Sequence, residues 1–310
     1  MNERLWLPGK GHWAEYQDFM GHKRVHESAA VWTIYHAIDS ETANPFQAYQ
    51  ATRYIDTAIP HIPVTAHGLK ENGYATIATT NWLPYSWSVN NIAFAEVMHT
   101  ALSYFQAGRA EAGYKLLKSS VLDGMYLGDS PGNFGQISFY DAARGECYRD
   151  FGDPIGVASR VLIQGLFGIL PDALNQQIIL RPGFPDDWDK ASVSTPDISY
   201  RFTRKEDTDT YHITQRFQTP LHPVLQINAR KEKIRSVKVN GVPATWQSIE
   251  SAHGYPLLSI QAEGTSSTTI TIEWEGASLH TLAVQELVIA SNGKLALQIP
   301  SGASISQVYD

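Results

Sequence analysis

The sequence holds a single cysteine, Cys147, and no apolar run approaching the roughly 20 residues that span a bilayer. One cysteine excludes an internal disulfide framework and any cysteine-rich metal site. Positive charge is also scarce. Residues 1–175 carry 12 basic and 17 acidic residues and the remainder 12 and 14, so the two parts have net charges of −5 and −2. Neither has the basic footprint that phosphate-backbone binding needs, and nucleic acid is disfavoured as a partner. The opening MNERLWLPGKGHW lacks an apolar h-region, so no secretory signal peptide is expected in this chain. If the chain is a piece of a longer protein, the periplasm or the cell exterior stays open. There is no low-complexity tract and no evident internal repeat.

What is present is an ordinary globular composition, 43% hydrophobic and 18% charged, with enough length for one large core or two medium ones. The periodicity changes partway along. ESAAVWTIYHAID (27–39), PFQAYQATRYIDTAI (45–59), NNIAFAEVMHTALSYFQAG (90–108), RAEAGYKLLKSSVLDGM (109–125) and a segment from Asp153-Pro154 to about Leu170 read as five helices. Ile92, Ala95, Met98, Leu102 and Phe105 form one apolar stripe that closes at Gly108, a C-cap residue. Proline opens the second helix and follows Asp153 in the fifth, where a missing N–H costs nothing and Asp153 can serve as N-cap. The fifth helix is apolar nearly all round, as a buried helix would be.

After Asp172 the runs QQIILRPG, ISYRFT, TYHITQRF, PVLQINA, RSVKVNG, PLLSIQA and TTITIEW are short, β-rich and punctuated by Gly, Pro and Asp. Asn240-Gly241 is a hairpin signal. The pattern predicts an α+β multidomain chain: helical hairpins over residues 1–175, then an antiparallel β-sandwich over 176–310.

Four stretches gather polar side chains in loops or at helix starts. GHWAEYQDFMGHKRVHES offers Glu15, Asp18, His22, Arg24, His26 and Glu27, and TTNWLPYSWSVNN offers Trp82, Tyr85, Trp87 and Asn90. GDSPGNFGQISFYD offers Asp129, Asn133 and Asp141, and ECYRDFGDP offers Glu146, Tyr148, Arg149, Asp150 and Asp153. Aromatics beside carboxylates and amides suit sugars, whose apolar faces stack on rings while their hydroxyls pair with polar groups. Glycoside hydrolysis then needs one group to protonate the leaving oxygen and another to activate water or attack.

Plainer readings compete. Asp153 is most simply a helix cap, Asp150 a salt-bridge partner of Arg149 or Arg144, and Glu15 with Asp18 a solvated face. His22 and His26 stand four apart but lack the HExxH pattern, so zinc is disfavoured. The tryptophans serve equally as loop anchors. No phosphate loop and no cofactor motif is found.

The layout resembles the C-terminal part of six-hairpin, (α/α)6-barrel glycosidases that end in a β-sandwich. The motifs are most similar to those of the inverting α-L-fucosidase-type family and its Bacteroidetes relatives grouped as a domain of unknown function. That family has an EW-x-x-D segment followed by HRHxSHL. Here Glu15, Tyr16, Asp18, His26 and Ser28 stand in matching order, with Val25 and Ala29 in place of a basic residue and the last histidine. It also has an aspartate in a QIDGN-like segment, a helix, and an LPALP-x-x-W turn. YRDFGDPIGVASRVLIQGL and ILRPGFPDDW follow that order, with Asp150 the better match and Asp153 the alternative.

The resemblance implies an inverting glycoside hydrolase acting on oligo- or polysaccharide. Asp150, Glu15 and Asp153 are the catalytic candidates; His26, Asp18, Trp82, Tyr85, Trp87, Asn90 and Arg149 are the sugar contacts. A six-hairpin barrel has about twelve helices and this chain shows five or six, so a preceding half-barrel or a second copy is expected to complete it. In the resembled family that earlier half supplies the general acid, so little or no hydrolysis is expected of this chain alone. A non-catalytic glycan-binding or accessory module, or a polysaccharide lyase recruiting Tyr148, Arg149 and Asn90, are the alternatives.

Overall fold

The computed structural model describes residues 2–79, 91–127, 139–141, 146–148 and 152–279. Its described helices are α1 (Asn2–Leu5), α2 (Val31–Asp39), α3 (Pro45–Ala58), α4 (Phe94–Gln106), α5 (Ala110–Val121) and α6 (Asp153–Arg160). α5 and α6 continue into π-helical turns, Leu122–Tyr126 and Val161–Leu166. Local chemistry explains the ends. Asn44 caps α3 by accepting from Gln47 N at 2.8 Å, while Gln47 Oε1 accepts from Asn44 N at 3.1 Å, and Pro45 takes the first turn. α4 closes at Gly108 (φ +75°), with Gly108 N donating to Phe105 O at 3.0 Å and Arg109 N to Tyr104 O at 2.8 Å. This is the paired ending that a left-handed glycine allows.

The apolar stripe of α4 is the centre of the first core. Ala95, Met98, Leu102 and Phe105, together with Ile92 just before the helix, are all buried. They meet α2, α3, α5 and α6 in one cluster that runs from Trp13 to Leu166. Three departures from the sequence reading stand out. Asn91–Ala93, expected to be helical, is a strand in a three-stranded sheet with Phe139–Asp141 and Glu146–Tyr148. The fifth helix stops at Leu166, short of Leu170, because Gly168 (φ +65°) turns the chain and Ile169–Asp172 pairs with Gln177–Leu180. That helix is also not enclosed: Ile155 and Leu162 are exposed on one side while Pro154, Val161, Gly165 and Leu166 are buried on the other.

The later residues form two larger sheets. In the five-stranded sheet the order is Ile169–Asp172, Gln177–Leu180, His222–Asn228, Leu257–Gln261, Gln247–Ile249. In the six-stranded sheet it is Lys190–Ser194, Ile198–Lys205, Thr208–Gln215, Ser267–Ser278, Lys231–Val239, Val242–Pro243. Alternate residues point inward, and Ile178, Leu180, Leu225 and Ile260 of the first sheet share one cluster with Tyr200, Phe202, Ile213, Ile272 and Trp274 of the second. Pairing is antiparallel except for Gln177–Leu180 against His222–Asn228, which is parallel where all-antiparallel strands were expected. Asn240 and Gly241 both have positive φ, as a two-residue hairpin of primed type requires.

Phe167 and Phe184 pack against both cores, and Phe105 of the first core lies against the glycines beside them. A Cβ at Gly165 would lie 2.6 Å from Phe105 Cδ2, and one at Gly183 2.3 Å from Phe105 Cδ1, so the ring occupies the space those side chains would need. Gly183→Ala is therefore expected to lower stability by about 2–3 kcal/mol through overpacking. Gly156→Ala, at an open helical position with nothing within 4 Å, should raise it by about 0.5–1 kcal/mol. Urea denaturation of the two variants checks both signs.

Candidate functional site

Glu15 sits just before the short hairpin of Tyr16–Gln17 with Val25–His26. Its carboxylate accepts from Ala30 N at 2.8 Å, from Thr33 Oγ1 at 2.8 Å and from Trp32 Nε1. Ala30 is the N-cap residue of α2 and has no side chain to satisfy the open N–H groups there. Glu15 supplies that cap from fifteen residues upstream, and its charge suits the helix N-terminus. Within the hairpin, His26 Nε2 lies 2.9 Å from Asp18 Oδ1, and Tyr16 stacks on the imidazole at 4.1 Å between centroids. Glu15 N also donates to His26 O at 2.8 Å. Glu15, Asp18 and His26 are thus one local unit, a helix cap joined to a ring-stacked acid–histidine pair.

Asp153 is the first residue of α6, and Gly152 holds the N-cap place with no side-chain capping bond. The expected Asp153 cap is therefore not made. The residue is exposed, and its charge acts on Glu96 in the first turn of α4. Trp82, Tyr85, Trp87, Asn90, Arg149 and Asp150 lie outside the described residues.

Glu96 is a candidate group that sequence reasoning passed over. Burial, with a smaller push from Asp153, raises its carboxyl from the ordinary 4.5 to about 7. Its Oε2 is buried and has no hydrogen-bonding partner among the described residues. A position in the first turn of a helix favours the anion, so burial outweighs the helix dipole here. Tyr35 lies close by: burial, with the Glu96 charge behind it, holds its phenol well above the usual range. Tyr35 in turn stacks on His99 at 4.9 Å. His99 is held below its usual value by burial first and the Arg160 charge second, and so stays neutral near pH 7. Around them, Arg160 grips Asp39 through two donors at 2.6 and 2.9 Å, and Gln106 donates to Asp39 at 2.9 Å. Burial works against the Asp39 anion, but these bonds prevail and keep it below the ordinary carboxylate range.

The signal that could have revealed Glu96 is its isolation. It is the one acid within FAEVMHTALSYF, a helix otherwise almost without charge. Chemically, the arrangement sets a carboxyl that is half protonated near neutrality beside an exposed aspartate. Among the described residues no group of three or more His, Cys, Asp or Glu is placed to hold a metal ion, and no helix is long and apolar enough to cross a membrane.

Two outcomes are expected. Glu15→Ala should cost about 2–3 kcal/mol in thermal or chemical denaturation, because it removes a helix cap together with the bonds from Thr33 Oγ1 and Trp32 Nε1. For Glu96, a folded value raised above the unfolded one adds stability that is complete below pH 4.5 and lost as pH rises through about 7. The loss is roughly 3 kcal/mol at most. Glu96→Gln should flatten the stability profile between pH 5 and 7.5, as read by urea midpoints across that range.

No protein-family model and no curated protein matches the chain. Among solved structures it is similar to an α-L-rhamnosidase from Dictyoglumus thermophilum, 10% identical with a TM-score of 0.46 over 88% of this chain and 27% of that one. It is also similar to the Streptomyces avermitilis α-L-rhamnosidase complexed with L-rhamnose, 13% identical with a TM-score of 0.44 over 83% and 22% of the two chains. A GH127 β-L-arabinofuranosidase from Geobacillus stearothermophilus T6 is 9% identical, with a TM-score of 0.35 over 79% and 42%. The chain spans about a quarter of the length of the rhamnosidases it matches, and the structures it is similar to are glycoside hydrolases.

Proposed function

We propose that this chain is the C-terminal portion of a carbohydrate-active enzyme, a glycoside hydrolase. In this reading residues 1–175 are part of an (α/α)6 toroid and residues 176–310 a β-sandwich. The observation that carries it is Glu96, half-buried, with Oε2 unpartnered among the described residues and its carboxyl raised to about 7, within electrostatic reach of the exposed Asp153. Glycosidic cleavage needs one protonated and one ionised carboxyl at working pH. Glu96 holds the proton and delivers it to the leaving oxygen. Asp150 or Asp153 activates the water, with inversion as the resemblance to the fucosidase-type family implies.

The remaining site residues take supporting parts. Trp82, Tyr85 and Trp87 are stacking walls; Asn90 and Arg149 pair with hydroxyls; Asp18 and His26 contact sugar from the hairpin whose base Glu15 fixes. The exposed Ile155 and Leu162 side of α6 is where a preceding half-barrel or a second copy of the chain closes the toroid. Glu96 gives the chain an acid of its own beside any acid in the earlier half. Slow turnover by the isolated chain follows, in keeping with the little or no hydrolysis expected from the sequence.

The test is hydrolysis of aryl α-L-fucoside and aryl α-L-rhamnoside by the purified chain. Slow release is expected, falling as pH rises through about 7 because the acid must be protonated, and lowered at least about 100-fold in Glu96→Gln. Proton NMR of the first product should show the inverted anomer. Equal rates for Glu96→Gln and the parent chain would remove Glu96 from the mechanism. An unsaturated, ultraviolet-absorbing uronate product would make the enzyme a lyase.

A further inference from the structure

At the other end of α4 from Glu96, roughly 20 Å away by helix rise, a cleft of about 610 Å³ opens where the helices meet the six-stranded sheet. The paired glycine ending of α4 delivers Arg109 into its wall. Arg53 of α3 and Arg204 and Arg230 from the β side complete a set of four guanidiniums along one cavity.

Inside the cleft these cations meet Asp209, and beside it the part-buried Asp56. Asp56 takes Arg109 Nη2 at 2.5 Å, Arg53 Nη1 at 2.9 Å and Tyr104 Oη at 2.6 Å. Asp209, 1% exposed, takes Arg204 Nε at 2.9 Å and Trp274 Nε1 at 3.0 Å, with Arg230 Nε 3.5 Å away. Both oxygens of each acid are engaged. Donors are left over: Arg109 Nη1 and Arg230 Nε are buried and make no hydrogen bond among the described residues. The other acids at the cleft, Glu111 and Asp186, are exposed at its rim. A wall of four guanidiniums whose inner acceptors are spent, with two N–H groups that make no hydrogen bond among the described residues, calls for a ligand group that only accepts. A planar carboxylate fits a guanidinium best.

The same walls carry rings. Tyr49, which Arg109 overlies at 5.9 Å, and Phe184 and Tyr255 line the cleft. Rings next to arginines select a carboxylate borne on a body with apolar faces, and the volume lies within the range of small-ligand sites.

We propose that this cleft is a second binding site, for a carboxylated sugar of the uronic-acid class, with its carboxylate on Arg109 and its ring among Tyr49, Phe184 and Tyr255. It is separate from the Glu96 cluster and holds whether or not that cluster hydrolyses glycosides. Glu111 repels the ligand from the rim.

The experiment is calorimetric titration of the full 310-residue chain with tri-galacturonate, with neutral galactotriose and with inorganic phosphate. Tri-galacturonate should bind, more weakly as salt rises, and galactotriose at least tenfold less tightly. Arg109→Gln should weaken binding tenfold or more. Because that variant also disturbs the Asp56 network, two others keep the test sharp. Tyr255→Ala should weaken binding several-fold, and Glu111→Gln, which retains an acceptor for Asp186 N, should tighten it. Glu96→Gln should leave this affinity unchanged, which separates the cleft from the hydrolase reading. Absence of tri-galacturonate binding at millimolar concentration, equal affinity for galactotriose, or indifference to Tyr255→Ala and Glu111→Gln would overturn the proposal. Phosphate binding as tightly as tri-galacturonate would overturn the sugar and leave an anion pocket only.

Discussion

The ring of Phe105 is the constraint on which the rest of the molecule depends. Gly113 of α5, Gly165 in the π-turn after α6 and Gly183 on the way to the sheets each leave out a side chain where this ring sits. The backbone is tied at the same place: Gly183 N donates to Leu166 O at 3.0 Å and Arg181 N to Gly168 O at 2.8 Å. A Cβ at Gly168 would fall 1.9 Å from Arg181 O, so the crossing is possible only for glycine. With its last turn wedged here, α4 cannot shift along its axis without driving Phe105 into these glycines. Interiors at this density transmit displacement and do not absorb it.

Fixing α4 fixes the chemistry at its two ends. The first turn presents Glu96 to α6 and Tyr35, and the residue after the C-terminal glycine presents Arg109 to the seam with the sheets. Neither group depends on a long loop for its position. Asp39, Gln106 and Arg160 add a polar strut between α2, α4 and α6 beside the Glu96 cluster. Burial decides how much that strut is worth. Asp39 and Arg160 are only part-buried, so they fix geometry more than they add stability.

Much of this was legible from residue order, and the failures have physical causes. The stripe from Ile92 to Phe105, Gly108 as terminator and the Asn240-Gly241 turn follow from period and backbone freedom alone. The parallel pairing of Gln177–Leu180 with His222–Asn228 could not, since strand order within a sheet leaves no local mark. Glu15 looked catalytic because an acid among aromatics suits a sugar site; its three donors come from α2, whose own N-cap position is an alanine. Gly152 took the place foreseen for Asp153, which left that aspartate exposed and able to act on Glu96. Glu96 was hidden for a related reason. Period-based reading treats an acid inside an apolar helix as its solvent side, and only tertiary packing shows that burial raises its proton affinity.

The helix dipole ties these points together. It favours an anion at the start of α4 and a cation at its end. Arg109 obeys it, and its charge is met by Asp56. Glu96 defies it: the dipole should lower its affinity for a proton, yet that affinity is raised, because burial removes the water an anion would need. The raised proton affinity of Glu96 therefore rests first on enclosure, with the Asp153 charge adding to it. A group held that way changes charge when its enclosure changes. Water entering between α4 and α6, or a ligand displacing it, would act on the proton directly and without rearranging the backbone. A buried carboxyl at a helix N-terminus is for that reason a better proton carrier than one held by a salt bridge, whose partner would have to leave first.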